Sequence, residues 1–398
     1  MRLIAVALML LSMLLAGATA RAAEPSPEAA MLMKLFGTGP VTADLFTAGF
    51  LGKAPIGEIS DVFTKVRSAV GPAISVEKAD SGYVVHTQTF TVPVDLSLAD
   101  GKVDSLVLKQ PVQNLATLPD VLKALDGLSG DVGYLVTKND AVLYAHAEKQ
   151  PLAVFSGFKL AVLATLADEI KAGTLKWDQV VPLDAHDISL TPGVLQDFPA
   201  GSPVTIHTLA ALMTAQSDNT ATDQIIDIVG RDKVAKKLGT GFVLKTTEFY
   251  KLKGDPARQL RYIDADDAGR QQMTTELANA PLPAPADVMA PLTDKLEWYL
   301  SPTDLCRLIG EVAGLDVMSI NPGVARRDDW EHVGFKSGSE VGVASLTSAL
   351  ADHDGNRYCV TVTVNDHKAL DENRITSVYT ALVAQLANPA PAPAATSP

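Results

Sequence analysis

Met213 to Thr222, which reads MTAQSDNTAT, carries the most information about the fold of this 398-residue chain. Its centre, Ser217-Asp218-Asn219, follows one helical pattern and precedes another, so we expect the tripeptide in a loop between two helices. A given tripeptide is expected well under once in a chain of this length at average composition. The alternative interpretation is a helix N-cap, where serine, aspartate and asparagine are all common.

The second informative segment is Ser156-Gly157-Phe158-Lys159, which precedes the apolar run 160–164. That run predicts a buried helix, on which residues i and i+3 are neighbours, so the Lys159 amine can lie against the Ser156 hydroxyl. Burial lowers the pKa of a lysine and makes a neutral amine base available. A capping serine beside a snorkelling lysine is the alternative. Residues 75–78 also fit Ser-x-x-Lys, but they lie on a predicted strand, where i and i+3 point to opposite faces.

The third segment is Lys336-Ser337-Gly338-Ser339, at the end of a predicted strand. Lys336 supplies positive potential, and the hydroxyls of Ser337 and Ser339 are candidates for binding a substrate carboxylate. Gly338 removes side-chain bulk, which allows a substrate to lie against the strand edge. Taken alone, this segment is more often a simple strand and turn.

Together the three segments predict a serine nucleophile that works without histidine. Ser156 attacks a carbonyl, Lys159 takes its proton, and Ser217 passes a proton to the leaving group. Asn219 is expected to hold Lys159 and an amide of the substrate by hydrogen bonds. The backbone N–H groups of Ser156 and Ser339 are the predicted oxyanion hole.

The order Ser-x-x-Lys, Ser-Asp-Asn, Lys-Ser-Gly resembles the signature of class A β-lactamases and penicillin-binding proteins, which have threonine where Ser337 stands. The resemblance implies an α+β fold over residues 118–386, with an antiparallel sheet flanked by helices and an all-helical lobe. It implies an acyl-enzyme on Ser156, formed from β-lactams or carboxylate-bearing esters. Within this class, a peptidoglycan DD-peptidase is the alternative. A binding module that senses β-lactams or cell-wall fragments without hydrolysing them is a further alternative.

One element of the class A pattern is missing. Those enzymes carry a glutamate after Ser-Asp-Asn, within Glu-x-x-x-Asn, that activates the deacylating water. Glu248 is the nearest candidate for this carboxylate, although it comes early and has no matching asparagine. A surface or structural carboxylate is the favoured interpretation of Glu248. We therefore expect acylation to survive and β-lactam hydrolysis to be slow.

The region before the three segments predicts a second, small α+β domain at 27–110. Helical patterns are followed by strand patterns, separated by turn signals such as Asp100-Gly101, and we expect Pro93 to end its strand or to mark an edge strand. The arrangement resembles the two-domain serine hydrolase of the clavulanic-acid gene cluster, in which a steroid-isomerase-like cone precedes a β-lactamase-like domain. Trp298-x-x-Ser301-Pro302 is similar to a helix opening in that family. The predicted helices are 27–36, 41–52 and 57–70, and the predicted strands are 73–78, 83–92 and 102–109.

The larger domain is predicted to have strands at both ends and helices between them, which implies one sheet closed by both termini. A linker is expected at 110–120, before a hairpin around Asn139-Asp140. The predicted strands are 133–137, 142–145, 331–337, 341–350 and 357–364, and the predicted helices are a mostly helical stretch at 151–315 and a last helix at 371–386.

The ends of the chain and its charge bear on location and partners. Residues 1–23 resemble a cleaved secretory signal, so we expect a periplasmic or secreted bacterial protein. The Pro/Ala-rich tail 387–398 is predicted to be disordered. The net charge of −13 argues against nucleic acid as a partner. A small-molecule substrate or a cell-wall peptide is expected, with no cofactor, no metal and no membrane span. Cys306 and Cys359 are either a disulfide or two buried thiols.

Overall fold

The computed structural model describes residues 25–387, except positions 80, 89, 114 and 116. The predicted signal sequence lies outside this range, as does the predicted tail apart from Ala387, which ends the last helix. The chain divides into two compact units, one ending at Lys109 and the other beginning at Gln110.

The N-terminal unit consists of short helices followed by four antiparallel strands. Ser26 caps the first helix by accepting a hydrogen bond from the Ala29 N–H group. The predicted helix at 41–52 is broken into a 3-10 turn at Ala43–Leu45 and one short α-helix. The elements are α1 (Pro27–Leu35), α2 (Ala48–Leu51), α3 (Ile56–Val70), β1 (Ala73–Lys78), β2 (Tyr83–Thr87), β3 (Phe90–Ala99) and β4 (Lys102–Leu108).

The four strands form a meander in the order β1-β2-β3-β4, with a core of their own against the helices. Phe36 and Phe63 meet edge to face in that core, with ring centroids 5.7 Å apart. Asp100 and Gly101 have positive φ and turn the chain between β3 and β4, as predicted. The expectation for Pro93 is wrong, because β3 is an inner strand and continues past Pro93 to Ala99. Pro93 still pairs opposite Val84 of β2, and its carbonyl accepts a hydrogen bond from Lys109 N, so the strand continues although Pro93 has no N–H group to donate.

The larger unit contains the remaining elements. Its first half comprises β5 (Val112–Gln113), α4 (Leu118–Asp126), β6 (Asp131–Lys138), β7 (Ala141–His146), β8 (Leu152–Ala153), α5 (Lys159–Lys171), β9 (Val180–Pro182), β10 (Pro203–Thr205), α6 (Ile206–Ala215) and α7 (Asn219–Val229). Its second half comprises α8 (Arg231–Leu238), α9 (Thr246–Lys253), α10 (Pro256–Asp264), α11 (Asp267–Asn279), β11 (Tyr299–Leu300), α12 (Pro302–Val312), β12 (His332–Glu340), β13 (Val343–Ala351), β14 (Arg357–Asn365) and α13 (Glu372–Ala387).

One five-stranded antiparallel sheet organises this unit, in the order β12-β13-β14-β6-β7. Strand β14, from the end of the chain, pairs with β6, so the predicted closure of the sheet by both termini is confirmed. Every residue of β13 except the last is buried, because helices cover both faces of the sheet. Strand β12 lies at the edge, and one side of it is therefore open to a ligand.

Two apolar cores flank the sheet. The larger packs one face against α5, α6, α7 and α12, and the smaller packs the other face against α4 and α13. Helix α12 begins with a capping box, in which Ser301 and Asp304 accept hydrogen bonds from each other's backbone N–H groups. A disulfide joins Cys306 of α12 to Cys359 of β14 across the larger core. Within residues 25–387, no helix combines the length and apolarity that crossing a bilayer requires.

Candidate active site

Ser156 lies on a tight turn that leads into α5. Residues Phe155–Phe158 form a 3-10 helix, and α5 continues directly from Lys159. Side chains at i and i+3 eclipse in 3-10 geometry, which suits the predicted neighbourhood of Ser156 and Lys159. Lys159 Nζ donates to Ser217 and Asn219, and its contact with the Ser156 hydroxyl stays a prediction. Phe155, immediately before the serine, has a φ of 42°, a strained value for a bulky residue. Such strain is typical of functional turns, and here the surrounding aromatic packing maintains it, with Phe155 against Trp298 at 6.1 Å.

Lys159 is fully buried and bonded to the second segment. Its Nζ donates to the Ser217 carbonyl at 2.6 Å and to Asn219 Oδ1 at 2.6 Å, and it lies 3.4 Å from Ser217 Oγ. Burial lowers the pKa of Lys159 well below its ordinary value, and the positive charge of Lys336 lowers it further. The nearby carboxylates of Asp223 and Asp218 oppose this shift, with smaller effect. In its neutral form, Lys159 donates its two N–H groups to these two oxygens, and its nitrogen lone pair remains available to accept a proton.

Ser217 lies between the two lysines of the site. Its hydroxyl accepts a hydrogen bond from Lys336 Nζ at 2.9 Å. Ser217 has a φ of 59°, and Asp218 caps α7 by accepting from the Ala221 N–H group. Asp218 also accepts from Val194 N, so its carboxylate fixes the loop instead of facing the cleft. The predicted loop position of Ser-Asp-Asn and its N-cap role are therefore both present.

Lys336 reaches the site from the edge strand β12. The residue is 3 % exposed, and burial lowers its pKa to about 7. Besides Ser217, its Nζ donates to the Ser337 carbonyl at 2.6 Å. Near neutral pH the amine is thus close to its own pKa, and its charge responds to small changes of pH.

Gly338 is required for a reason beyond the predicted access of a substrate. A Cβ atom on it would lie 2.1 Å from the Val154 carbonyl oxygen and 2.7 Å from Ser156 N. The missing side chain therefore allows β12 to press against the turn of the nucleophile, and its benefit is not confined to substrate access. This close approach brings the Ser156 backbone next to the third segment.

The serines on either side of Gly338 alternate with the buried residues of the strand. Ser337 is half-buried and Ser339 is exposed, and both lie on the face of β12 opposite to Lys336. Neither side chain is enclosed within the core. They remain available to solvent and ligand at the edge of the sheet.

Glu248 is engaged elsewhere. Its two carboxylate oxygens accept hydrogen bonds from the Arg231 guanidinium at 2.6 and 2.8 Å. One of them also accepts from Lys245 N at 2.8 Å, at the start of α9. These contacts favour the interpretation of Glu248 as a structural carboxylate, since a base needs a free lone pair facing water.

Two features of the site were not found from the sequence. The Tyr250 hydroxyl accepts a hydrogen bond from Asn219 Nδ2 at 3.2 Å. A buried charged cluster links α9 to the end of β12, where Lys253 Nζ donates to Glu340 and lies 3.9 Å from Glu297 Oε1. No sequence spacing predicts either contact, because each joins residues that only the tertiary fold brings together.

Comparison with known proteins bears on the family and the fold. The model of the Beta-lactamase enzyme family matches residues 114–313, half of the chain. A β-lactamase from Sphaerobacter thermophilus is 19% identical, with a TM-score of 0.50 over 70% of this chain and 100% of that chain. PBP-A is 17% identical, with a TM-score of 0.48 over 68% of this chain and 94% of that chain.

A β-lactamase from Chitinophaga pinensis is 17% identical, with a TM-score of 0.47 over 68% of this chain and 98% of that chain. No curated protein matches the sequence. At these identities the Sphaerobacter structure supports the fold, and the family model supports membership. The chain belongs to the beta-lactamase enzyme family.

Proposed function

We propose that the protein is an exported serine hydrolase that forms an acyl-enzyme on Ser156. The observation that carries this proposal is the position of Ser217 Oγ, 2.9 Å from Lys336 Nζ and 3.4 Å from Lys159 Nζ. Burial of two lysines around one hydroxyl costs folding free energy, and it lowers the pKa of both amines. Such perturbed groups cluster at functional sites, which supports a role in proton transfer. The substrates are β-lactams or carboxylate-bearing esters.

The reaction begins with the neutral amine of Lys159. It accepts the proton of Ser156 Oγ while that oxygen attacks the carbonyl carbon and forms a C–O bond. When the tetrahedral intermediate collapses, the bond to the leaving oxygen or nitrogen breaks. The leaving atom takes the proton of Ser217, which is replaced through Lys159 or Lys336.

Negative charge develops on the carbonyl oxygen during the attack. The backbone N–H groups of Ser156 and Ser339 are the proposed donors to it, because Gly338 allows their two chain segments to approach closely. The exposed edge of β12 offers the hydroxyls of Ser337 and Ser339 to the carboxylate of a substrate. Lys336 adds positive potential beside it.

Release of the acyl group is the slow step of this proposal. Glu248 is bonded to Arg231 and Lys245, so it is not offered as the base that activates water. Without such a base, a β-lactam acyl-enzyme is expected to persist, whereas an activated ester still acylates Ser156 rapidly.

Mass spectrometry of the intact protein tests the proposal. The protein is mixed with a penicillin, a cephalosporin and an aryl ester, and the mass is followed in time. An ester adduct that disappears within minutes, beside a β-lactam adduct that persists without turnover of D-alanyl-D-alanine peptides, is the result that the proposal predicts. A β-lactam adduct that lasts for hours, with turnover of D-alanyl-D-alanine peptides, supports the DD-peptidase alternative. Reversible binding with no adduct from any of the compounds supports a binding module and contradicts the proposal.

Export and the N-terminal unit complete the proposal. The signal-like residues 1–23 and the disulfide between Cys306 and Cys359 favour a periplasmic or secreted protein. The helices and four-stranded meander of the N-terminal unit support a cone-like, steroid-isomerase-like domain. This combination favours the two-domain type of the clavulanic-acid gene cluster. A fusion of residues 1–23 to a reporter that is active only outside the cytoplasm tests the export signal.

A further inference from the structure

The side-chain amide of Asn219 has all of its hydrogen-bonding groups occupied. An asparagine amide offers two N–H donors and one carbonyl acceptor. Here Oδ1 accepts from Lys159, while Nδ2 donates to the Leu190 carbonyl at 3.0 Å and to the Tyr250 hydroxyl at 3.2 Å. Asn219 is expected to bind an amide of the substrate, but both of its N–H donors are bonded to the protein.

The orientation of this amide follows from its neighbours. The Leu190 carbonyl can only accept a hydrogen bond, so the nitrogen of Asn219 faces it. The opposite side faces the amine of Lys159, which donates. A flipped amide would lose both bonds. Asn219 is also 1 % exposed, so its amide is covered by these protein partners.

Tyr250 is held in place independently of Asn219. Its hydroxyl donates to the Thr191 carbonyl at 3.3 Å, and its ring packs edge-on against Phe249 at 5.5 Å. Helix α9, which carries it, is anchored where Asp223 accepts the N–H groups of Thr246 and Thr247. A substrate amide can therefore reach the Asn219 donor only by displacing a fixed, buried hydroxyl.

We propose that Tyr250 determines specificity by occupying the Asn219 donor that an amide carbonyl of a substrate would otherwise use. The site then favours substrates without an acylamino group next to the reacting carbonyl, namely simple carboxylate-bearing esters and unsubstituted lactams. The amide carbonyl of an acylamino substrate then leaves its hydrogen bond to water without gaining one from Asn219. This inference rests on the proposed acylation of Ser156.

Two esters with the same leaving group test the inference. One is an aryl ester of N-phenylacetylglycine, and the other is the same aryl ester of phenylpentanoic acid, in which two methylenes replace the amide. The second-order acylation rate of each ester is measured with the wild type and with Tyr250→Phe. Tyr262→Phe is the matched control, since Tyr262 is a buried tyrosine of the same lobe that packs against Phe242.

The measured quantity is the ratio of the two rates, amide ester over methylene ester. Tyr250→Phe frees one N–H donor, so the ratio should rise about 2- to 10-fold over wild type, as one net hydrogen bond allows. Tyr262→Phe should leave the ratio unchanged. Both rates are measured on the same variant, so a general loss of activity cancels from the ratio. Tyr250→Met provides a second variant without the hydroxyl.

The outcomes separate the two proposals. A ratio that stays constant in both Tyr250 variants overturns the specificity role, and a rate loss shared by both esters would then mean that Tyr250 only positions Asn219. A rise of the same size in Tyr262→Phe also overturns it. Failure of both esters to acylate Ser156 in the wild type contradicts the proposed function instead, and the specificity role with it.

Discussion

Replacing Gly338 with alanine tests how closely β12 must approach the turn of the nucleophile. The new Cβ would lie 2.1 Å from the Val154 carbonyl oxygen and 2.7 Å from Ser156 N, and both atoms belong to the backbone. Ordinary contacts of this kind are near 3.5 Å, so the strand or the turn must move by about 1 Å. A displacement of about 1 Å at a reacting group costs roughly 100-fold in rate. Overpacking adds about 1–3 kcal/mol of lost stability.

Gly334→Ala is the matched control, on the same strand and the same face. There the nearest atom to the new Cβ would be Met318 Cβ at 3.6 Å, an ordinary contact. The assay is the second-order rate of acylation by an aryl ester, with the thermal midpoint measured on each variant. Gly338→Ala should acylate about 100-fold more slowly while still folding, and Gly334→Ala should remain within a few-fold of wild type. Equal rates for Gly338→Ala and wild type, or equal losses in both variants, would refute the steric reasoning.

Three further predictions concern charge and covalent linkage. Because the pKa of Lys336 is lowered to about 7, the acylation rate should fall as pH rises through that value and the amine loses its charge, whereas Lys336→Arg should remove this falling limb from the pH–rate profile. A falling limb that persists in the arginine variant would contradict this assignment. Burial and the neighbouring Glu340 raise the pKa of Glu297 well above its ordinary value, so its stabilising contribution is complete below about pH 4.5 and is lost as pH rises. Glu297→Gln should therefore raise the melting temperature more at pH 8 than at pH 4.5, and the opposite order would show that Glu297 is charged in the folded state. The Cys306–Cys359 disulfide closes a loop with a sequence separation of 53, and its reduction should cost about 4 kcal/mol in denaturant unfolding; an unchanged midpoint in reductant would argue against a stabilising role.

Local sequence signals predicted much of the sheet and the positions of the three segments. Strand patterns at both ends of the larger unit predicted one sheet closed by both termini, and the pairing of β14 with β6 is the form that this closure takes. The apolar run after Ser156 predicted α5, and the helix-opening pattern at Ser301-Pro302 agrees with the start of α12. These features depend on residues close together in the chain.

The parts that were missed depend on contacts between distant residues. The expectation that Pro93 ends its strand or marks an edge strand fails, because β3 continues past it between β2 and β4. The contact between Tyr250 and Asn219 joins residues 31 positions apart, on different helices. The role of Gly338 follows from a backbone approach that no spacing of side chains encodes.

Peptide mapping of the covalent adduct tests the central claim most directly. The protein is treated with an excess of a penam that lacks an acylamino side chain, quenched, digested and sequenced by tandem mass spectrometry, beside Ser156→Ala and Ser217→Ala. The account predicts one modified peptide with the added mass on Ser156, no adduct in Ser156→Ala, and slowed formation of the same adduct in Ser217→Ala. An adduct on any other residue, or an equal yield from Ser156→Ala, would contradict it.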